Sequence, residues 1–163
     1  HFLERVASGV DEQTFVAELV DYVLVQVDTS AGSVGGGDAE VTAKIDPGMI
    51  RRQAESSRDT TVHSLPRGEE PITVGRVPTS GVQILHSSVS KLHAQLTWQG
   101  EELMVEDLGS TNGTWVNRVK LEPNDPHRVR PDDTLRFGQG DAYLVMTPKA
   151  FFNYLNMLRR FGI

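Results

Sequence analysis

DLGSTNGTWVN, residues Asp107 to Asn117, is the stretch whose reading decides the rest of the chain. Gly109 and Gly113 flank a run of short polar side chains, Ser110, Thr111 and Asn112, and Thr114, Trp115 and Val116 then read as a strand. Asn-Gly tolerates positive φ better than other dipeptides, so the segment predicts a tight turn between strands. A loop so built offers hydroxyls, amides and backbone N–H groups to an oxyanion. It offers no charge.

Charge is available upstream. Gly75-Arg76 closes the apolar run Ile72-Thr73-Val74, and Ser90-Lys91-Leu92-His93 leads into the strand-like run Ala94 to Trp98. Taken in order, Gly-Arg, then S-x-x-H, then S-T-N-G-T-x-x-N resembles the forkhead-associated (FHA) domain, a family that recognises phosphothreonine. The fourteen-position step from Arg76 to Ser90 suits that family's loop and strand. Three linked motifs at suitable gaps are far more specific than any one of them, and the resemblance covers about residues 60–148.

The resemblance implies an all-β antiparallel sandwich with binding loops at one end and no catalytic chemistry. It implies that Arg76 clamps the phosphate, that Ser90 donates its hydroxyl, that Lys91 adds charge and that Thr111 contributes from the central turn. Asn112 would bind the ligand backbone just after the phosphothreonine. His93 would point inward to brace the loops, Gly75, Gly109 and Gly113 would set chain shape, and Asn117 would tie the turn to its neighbour. The family buries the threonine methyl, so phosphoserine should bind more weakly. The chain departs from the usual pattern at Val77, where a small polar residue often follows Gly-Arg, and at His86, where an acid is common. Thr60-Thr61 resembles the kinase-targeted Thr-Thr of some bacterial FHA proteins, whose phosphorylated form folds back into the domain's own site. Against that switch, Thr is simply a good strand residue.

Composition fits this frame. Of 163 residues, 38% are hydrophobic and 23% charged, which suits a soluble globular chain able to bury a core. There is no cysteine, so disulfides and thiolate metal sites are excluded and a reducing, cytoplasmic setting is expected. His1, His63, His86, His93 and His127 are scattered without metal-ligand spacing, and no cofactor is expected. No apolar run approaches the roughly 18 residues of a membrane span. The net charge of −6 arises entirely before Thr60, where eleven acids face five Lys or Arg; from Thr60 onward the two signs balance at eleven each. A neutral domain with a local basic site argues against general nucleic-acid binding.

Residues 1–28 are read as a helical extension. Phe2 to Ala7 suits a helical turn; Asp11 is a plausible N-cap, and Phe15, Leu19, Val20 and Val23 recur at helical spacing, predicting a helix over Glu12 to Val25. The competing reading is a strand at Tyr22 to Val27, where β-branched residues are dense. Residues 29–59 read as a Gly-rich linker with a short helix at Pro47 to Ser56. Its triple glycine lacks the Gly-Lys-Ser/Thr ending of a phosphate-binding loop.

Short strand-like runs separated by Gly, Pro, Asn and Asp then follow at Thr61–Leu65, Ile72–Val74, Val82–Leu85, Leu92–Trp98, Leu103–Asp107, Thr114–Val116, Val119–Leu121, Thr134–Phe137 and Tyr143–Met146. Residues 149–163 carry a helical stripe of Ala150, Phe151, Tyr154, Leu155 and Leu158, with Arg159-Arg160 in the last turn.

Three functions compete. The first is a phosphothreonine-binding adaptor in Ser/Thr kinase signalling, partnered by a phosphorylated protein. The second is a hydrolase using Ser90, His93 and Asp107, which lacks a G-x-S-x-G elbow. The third is a phosphate-independent scaffold that docks through its terminal helices.

Overall fold

The computed structural model describes residues 5, 7–19, 21–27 and 61–161. The linker, its short helix, and Thr60 fall outside them. Of the turn expected at Phe2 to Ala7, Arg5 and Ala7 are described and both are helical. The elements in chain order are α1 (Glu12–Glu18), β1 (Val23–Val27), β2 (Val62–Ser64), β3 (Ile72–Gly75), β4 (Val82–Gln83), β5 (Ala94–Gln99) and β6 (Glu102–Asp107). After these come β7 (Thr114–Val116), β8 (Val119–Lys120), β9 (His127–Val129), β10 (Thr134–Phe137), β11 (Ala142–Met146) and α2 (Pro148–Arg160).

The strands form two sheets. One has six strands in the order β2-β1-β11-β10-β7-β8, and the other five in the order β4-β3-β5-β6-β9. All pairings are antiparallel except a two-residue parallel bridge, Val74 with Val82 and Gly75 with Gln83. Alternating side chains of both sheets meet between them, among them Leu24, Val74, Leu96, Val105, Val116, Leu135 and Val145. The expected sandwich with flanking helices is therefore the observed fold.

A second apolar cluster lies on the outer face of the six-stranded sheet. Val23, Val25 and Met146 there meet Phe15 from α1 and Phe151, Phe152, Tyr154, Leu155 and Leu158 from α2. Phe15 is the keystone, its ring 5.2 Å from Phe152 and 6.2 Å from Phe151. Both helices begin on a side-chain cap: Asp11 Oδ1 accepts from Thr14 N at 3.0 Å, and Thr147 Oγ1 from Ala150 N at 3.2 Å.

This layer corrects the N-terminal reading. The helix stops at Glu18 and Val23–Val27 is a strand, paired with β11 on one side and β2 on the other. Leu24 faces the inter-sheet core while Val23 and Val25 face the helices, so both faces are apolar. The alternation that marks a half-exposed strand is then absent, and the run resembles a buried helix. A further strand, β9, was not expected. It is an edge strand whose His127 and Arg128 are exposed and whose Val129 alone is buried, a pattern without periodicity.

Candidate functional site

The β6–β7 connection crosses from one sheet to the other, and Asp107 at the end of β6 organises it. Its Oδ1 accepts from the N–H groups of Gly109 and Ser110, both at 2.9 Å; its Oδ2 accepts from the hydroxyls of Ser110 at 2.6 Å and Thr114 at 2.7 Å. Burial pushes this carboxyl up, but the Ser110 and Thr114 hydrogen bonds outweigh it and hold it below the usual carboxylate range. Ser110 Oγ also accepts from Gly113 N at 2.9 Å, closing the loop on itself. Gly113 sits at φ +88, as an Asn-Gly turn requires. The segment is nonetheless a longer crossing over residues 108–113; the two-residue hairpin turn falls later, at Asn117-Arg118, with φ of 52 and 85.

His93 braces this loop from below. It is fully buried; Nδ1 accepts from Ser90 N at 3.0 Å, so the ring proton sits on Nε2, which donates to the Gly113 carbonyl at 2.8 Å. The same carbonyl accepts from Gly138 N at 2.9 Å, bringing in the β10–β11 loop. Phe137 packs edge-on against the imidazole at 6.0 Å. With both nitrogens engaged and Asp107 Oδ2 4.0 Å away, the ring has no free lone pair for the Ser90 hydroxyl, and no Ser–His–Asp relay exists.

Above the brace, three loops are laced together through Ser90. Its carbonyl accepts from Arg76 N at 3.1 Å and its Oγ from Thr111 N at 3.2 Å. Arg76 Nε donates to the Val89 carbonyl at 3.1 Å, which holds the guanidinium beside Ser90 while its two terminal nitrogens have no acceptor among the described residues. This approach depends on Gly75: a Cβ there would stand 2.1 Å from the Lys91 carbonyl oxygen. Asn112 Nδ2 donates to the Ser88 carbonyl at 2.8 Å, leaving its Oδ1 open. Lys91 and Thr111 are exposed on the same loops.

The sequence-predicted residues Arg76, Ser90, Thr111 and Asn112 thus meet at one end of the sandwich, with Lys91 adjacent, Gly75, Gly109, Gly113 and His93 beneath, and Asn117 to the side. Asn117 does tie its turn down, since Nδ2 donates to Asp133 at 2.7 Å and Oδ1 accepts from Thr134 N at 2.9 Å. At His86, where an acid is common, Nδ1 accepts from the Ser88 N–H at 3.2 Å and lies 2.7 Å from the Ser88 hydroxyl, which in turn accepts from Gln139 N. The imidazole supplies the acceptor. Val77 is half-buried in the Arg76 loop and makes no side-chain hydrogen bond.

Sequence reasoning missed Asp107, Ser110 and Thr114 as the polar hub. The signal was present: an acid followed by hydroxyls at +3 and +7 within a loop of small residues. It missed Ser88 and Gly138, which meet only in three dimensions; a Cβ on Gly138 would stand 2.6 Å from Ser88 Oγ. A cleft of about 630 Å³ lies at the opposite end among Pro66, Arg67, Pro71, Ile72 and Thr79. The loop end presents a rim of polar tips, with a smaller hollow of about 170 Å³ beside it among Asp107, Ser110, Gly113 and Lys120.

Comparison with known proteins agrees with this geometry. The FHA domain family model matches residues 72–138. This stretch is an FHA domain. Over 53 residues the chain is 43% identical to protein FraH of a Nostoc species, a match spanning 32% of this chain and 18% of that protein. It is also 43% identical over 53 residues to the FHA domain-containing protein FhaB of Mycobacterium tuberculosis, spanning 32% of this chain and 34% of FhaB. Most of each relative therefore lies outside the match.

Among solved structures, the FHA domain of an Arabidopsis thaliana hypothetical protein superposes with a TM-score of 0.50 at 25% identity, covering 53% of this chain and 74% of that one. The FHA domain of CT664 from Chlamydia trachomatis superposes with a TM-score of 0.52 at 17% identity, covering 77% and 96%, a likeness of fold alone. The observed β1, β2 and β11 extend the sandwich beyond the FHA match on both sides.

Proposed function

We propose that the FHA domain of this chain is a non-catalytic module that binds phosphothreonine on a partner protein, as an adaptor or regulator in Ser/Thr kinase signalling. The observation that carries the reading is the Arg76 guanidinium, fixed beside Ser90 with both terminal nitrogens unused among the described residues. A phosphothreonine brings about −1.5 to −2 charges and three strong acceptor oxygens. A guanidinium matches it with two parallel bonds, and the Ser90 hydroxyl, whose oxygen already accepts from Thr111 N, has its own proton to donate. Thr111 and Lys91 add a hydroxyl and a charge, and the open Asn112 Oδ1 takes a backbone N–H of the ligand. Such a module works where Ser/Thr kinases act, and the cytoplasm is the setting proposed for it.

The scaffold alternative is weakened by the helices themselves, whose apolar faces are occupied by the sheet. No helix among the described residues is long and apolar enough to cross a membrane. Thr61 as an internal phosphate donor meets an obstacle. Its N–H donates to Gln26 Oε1 at 3.2 Å and its carbonyl accepts from Gln26 N at 2.9 Å, so the start of β2 must peel away before Thr61 travels.

The test is peptide binding by calorimetry. Wild type is expected to bind a phosphothreonine peptide at about micromolar Kd. Arg76→Ala should weaken it by about a hundredfold, from the loss of a bidentate charge-assisted pair. Equal binding of phosphorylated and unphosphorylated peptide would overturn the reading.

A further inference from the structure

The loop end holds the one Asn-Gly pair of the chain. Asn112 precedes Gly113, whereas Asn117, Asn124, Asn153 and Asn156 precede Arg118, Asp125, Tyr154 and Met157. An asparagine followed by glycine is open to attack from within. The main-chain nitrogen of the glycine forms a bond to the asparagine side-chain carbonyl carbon, the bond from that carbon to Nδ2 breaks, and the attacking nitrogen's proton leaves with Nδ2 as ammonia. Glycine favours the step because no Cβ shields its nitrogen. Water then opens the resulting succinimide at either carbonyl, giving aspartate or isoaspartate with no oxidant or reductant.

In the folded chain both reacting nitrogens are engaged. Gly113 N donates to Ser110 Oγ at 2.9 Å, and Asn112 Nδ2 donates to the Ser88 carbonyl at 2.8 Å. The succinimide keeps neither hydrogen, so closing it forfeits both bonds. Gly113 is buried and fixed from its other side as well, its carbonyl accepting from His93 Nε2 at 2.8 Å and from Gly138 N at 2.9 Å.

Ser110 Oγ donates in turn to Asp107 Oδ2 at 2.6 Å, so a relay runs from the Gly113 N–H to a carboxylate. Such a relay speeds the attack only if its far end takes the proton. Burial pushes the Asp107 carboxyl up, but the Ser110 and Thr114 hydrogen bonds hold it below the usual carboxylate range, far too weak a base for an amide proton. The relay therefore restrains Gly113 N. Each of the two bonds, at the usual strength of a protein hydrogen bond, slows ring closure about threefold to tenfold.

We propose that Asn112-Gly113 is a self-modification site, latched by Ser110 and Ser88, at which loss of the side-chain amide disables the loop end of the domain. Conversion replaces the Nδ2 donor by a carboxylate oxygen, which faces the Ser88 carbonyl as one acceptor against another. Isoaspartate also lengthens the main chain inside a loop that Ser110 and Asp107 hold closed. The new negative charge stands at the rim that carries Arg76 and Ser90 and repels a phosphate dianion. That last consequence rests on the phosphothreonine reading; the modification itself does not. Opening of the loop over 108–113 releases both bonds, so a transient opening is recorded as a permanent change of charge.

The full chain is incubated in mildly alkaline buffer, folded or in urea, and Asn112 is followed by peptide mapping and by enzymatic methylation of isoaspartate. Folded wild type is expected to convert about tenfold to a hundredfold more slowly than the chain in urea. Ser110→Ala, checked to be folded by its melting temperature, should convert about threefold to tenfold faster than folded wild type. Thr114→Ala removes another of the Asp107 donors, leaves the Gly113–Ser110 bond in place, and should keep the wild-type rate. Equal rates folded and in urea, no gain in Ser110→Ala, or an equal gain in Thr114→Ala overturns the latch, the first of these even where Ser110→Ala does not fold. Converted protein, separated by ion exchange, should bind a phosphothreonine peptide about tenfold more weakly than fresh protein. Undiminished binding overturns the disabling effect. Fresh protein that binds the unphosphorylated peptide equally well overturns the phosphothreonine reading and leaves the modification site standing.

Discussion

The loop end of the sandwich and the helix-covered face of its six-stranded sheet are both buried, and they are held by opposite means. At the loop end the interior is polar: His93, Asp107 and Thr114 are almost wholly enclosed, and each is bonded to the loop it supports. Under the helices the interior is hydrocarbon, with Phe15, Phe151, Val23, Val25 and Met146 in one cluster. Hydrogen bonds are directional and fix where a donor points; apolar burial is not, and fixes only that surfaces stay together. Recognition of a small dianion needs the first kind of order. Attachment of two helices needs only the second.

Substitutions at three positions bear on that contrast. The largest effect is expected from Phe15→Ala, which empties the centre of the helical cluster and should cost about 3–5 kcal/mol. Phosphothreonine affinity measured well below the melting point should be unchanged. A matching loss of affinity would break the contrast.

Asp107→Ala leaves two hydroxyls and two backbone N–H groups without their acceptor, and should cost about 3 kcal/mol while also lowering affinity, because the loop over 108–113 loses its shape. Its acid limb sharpens the point. The folded carboxyl titrates below the unfolded value of about 3.9, so the unfolded state binds the proton more readily. The Asp107 contribution is complete above that value and is lost as pH falls through the folded pKa. Asp107→Asn should therefore flatten stability against pH in that window, as followed by thermal melts at stepped pH. The smallest effect is expected from Thr147→Ala, about 1 kcal/mol from the lost cap of α2, with binding untouched.

The two regions also differed in how far the sequence disclosed them. That Arg76, Ser90, Thr111 and Asn112 come together was legible because the resemblance rests on three motifs in fixed order, and their loops are laced through Ser88, Val89 and Ser90. Asp107 was less so, since an acid at the end of a strand usually faces water, and only its four donors reveal otherwise. The inter-sheet core followed from alternation, as in β5, where Ala94, Leu96 and Trp98 are buried between less buried neighbours. Alternation fails wherever both faces are covered, and β1 is such a place: α1 and α2 mask the second face, and nothing local in Val23–Val27 encodes their presence. Charged β9 fails for the converse reason, having almost no buried face at all.

The position of β1 has a topological outcome. Its five residues are zipped to β11 along one edge and to β2 along the other, so the amino-terminal piece is an interior member of the sheet rather than an appendage. A backbone break anywhere between residues 28 and 60 would divide the polypeptide without separating its parts. The severed head would stay wedged in place like a split-protein complement, and freeing it would require tearing two ladders at once.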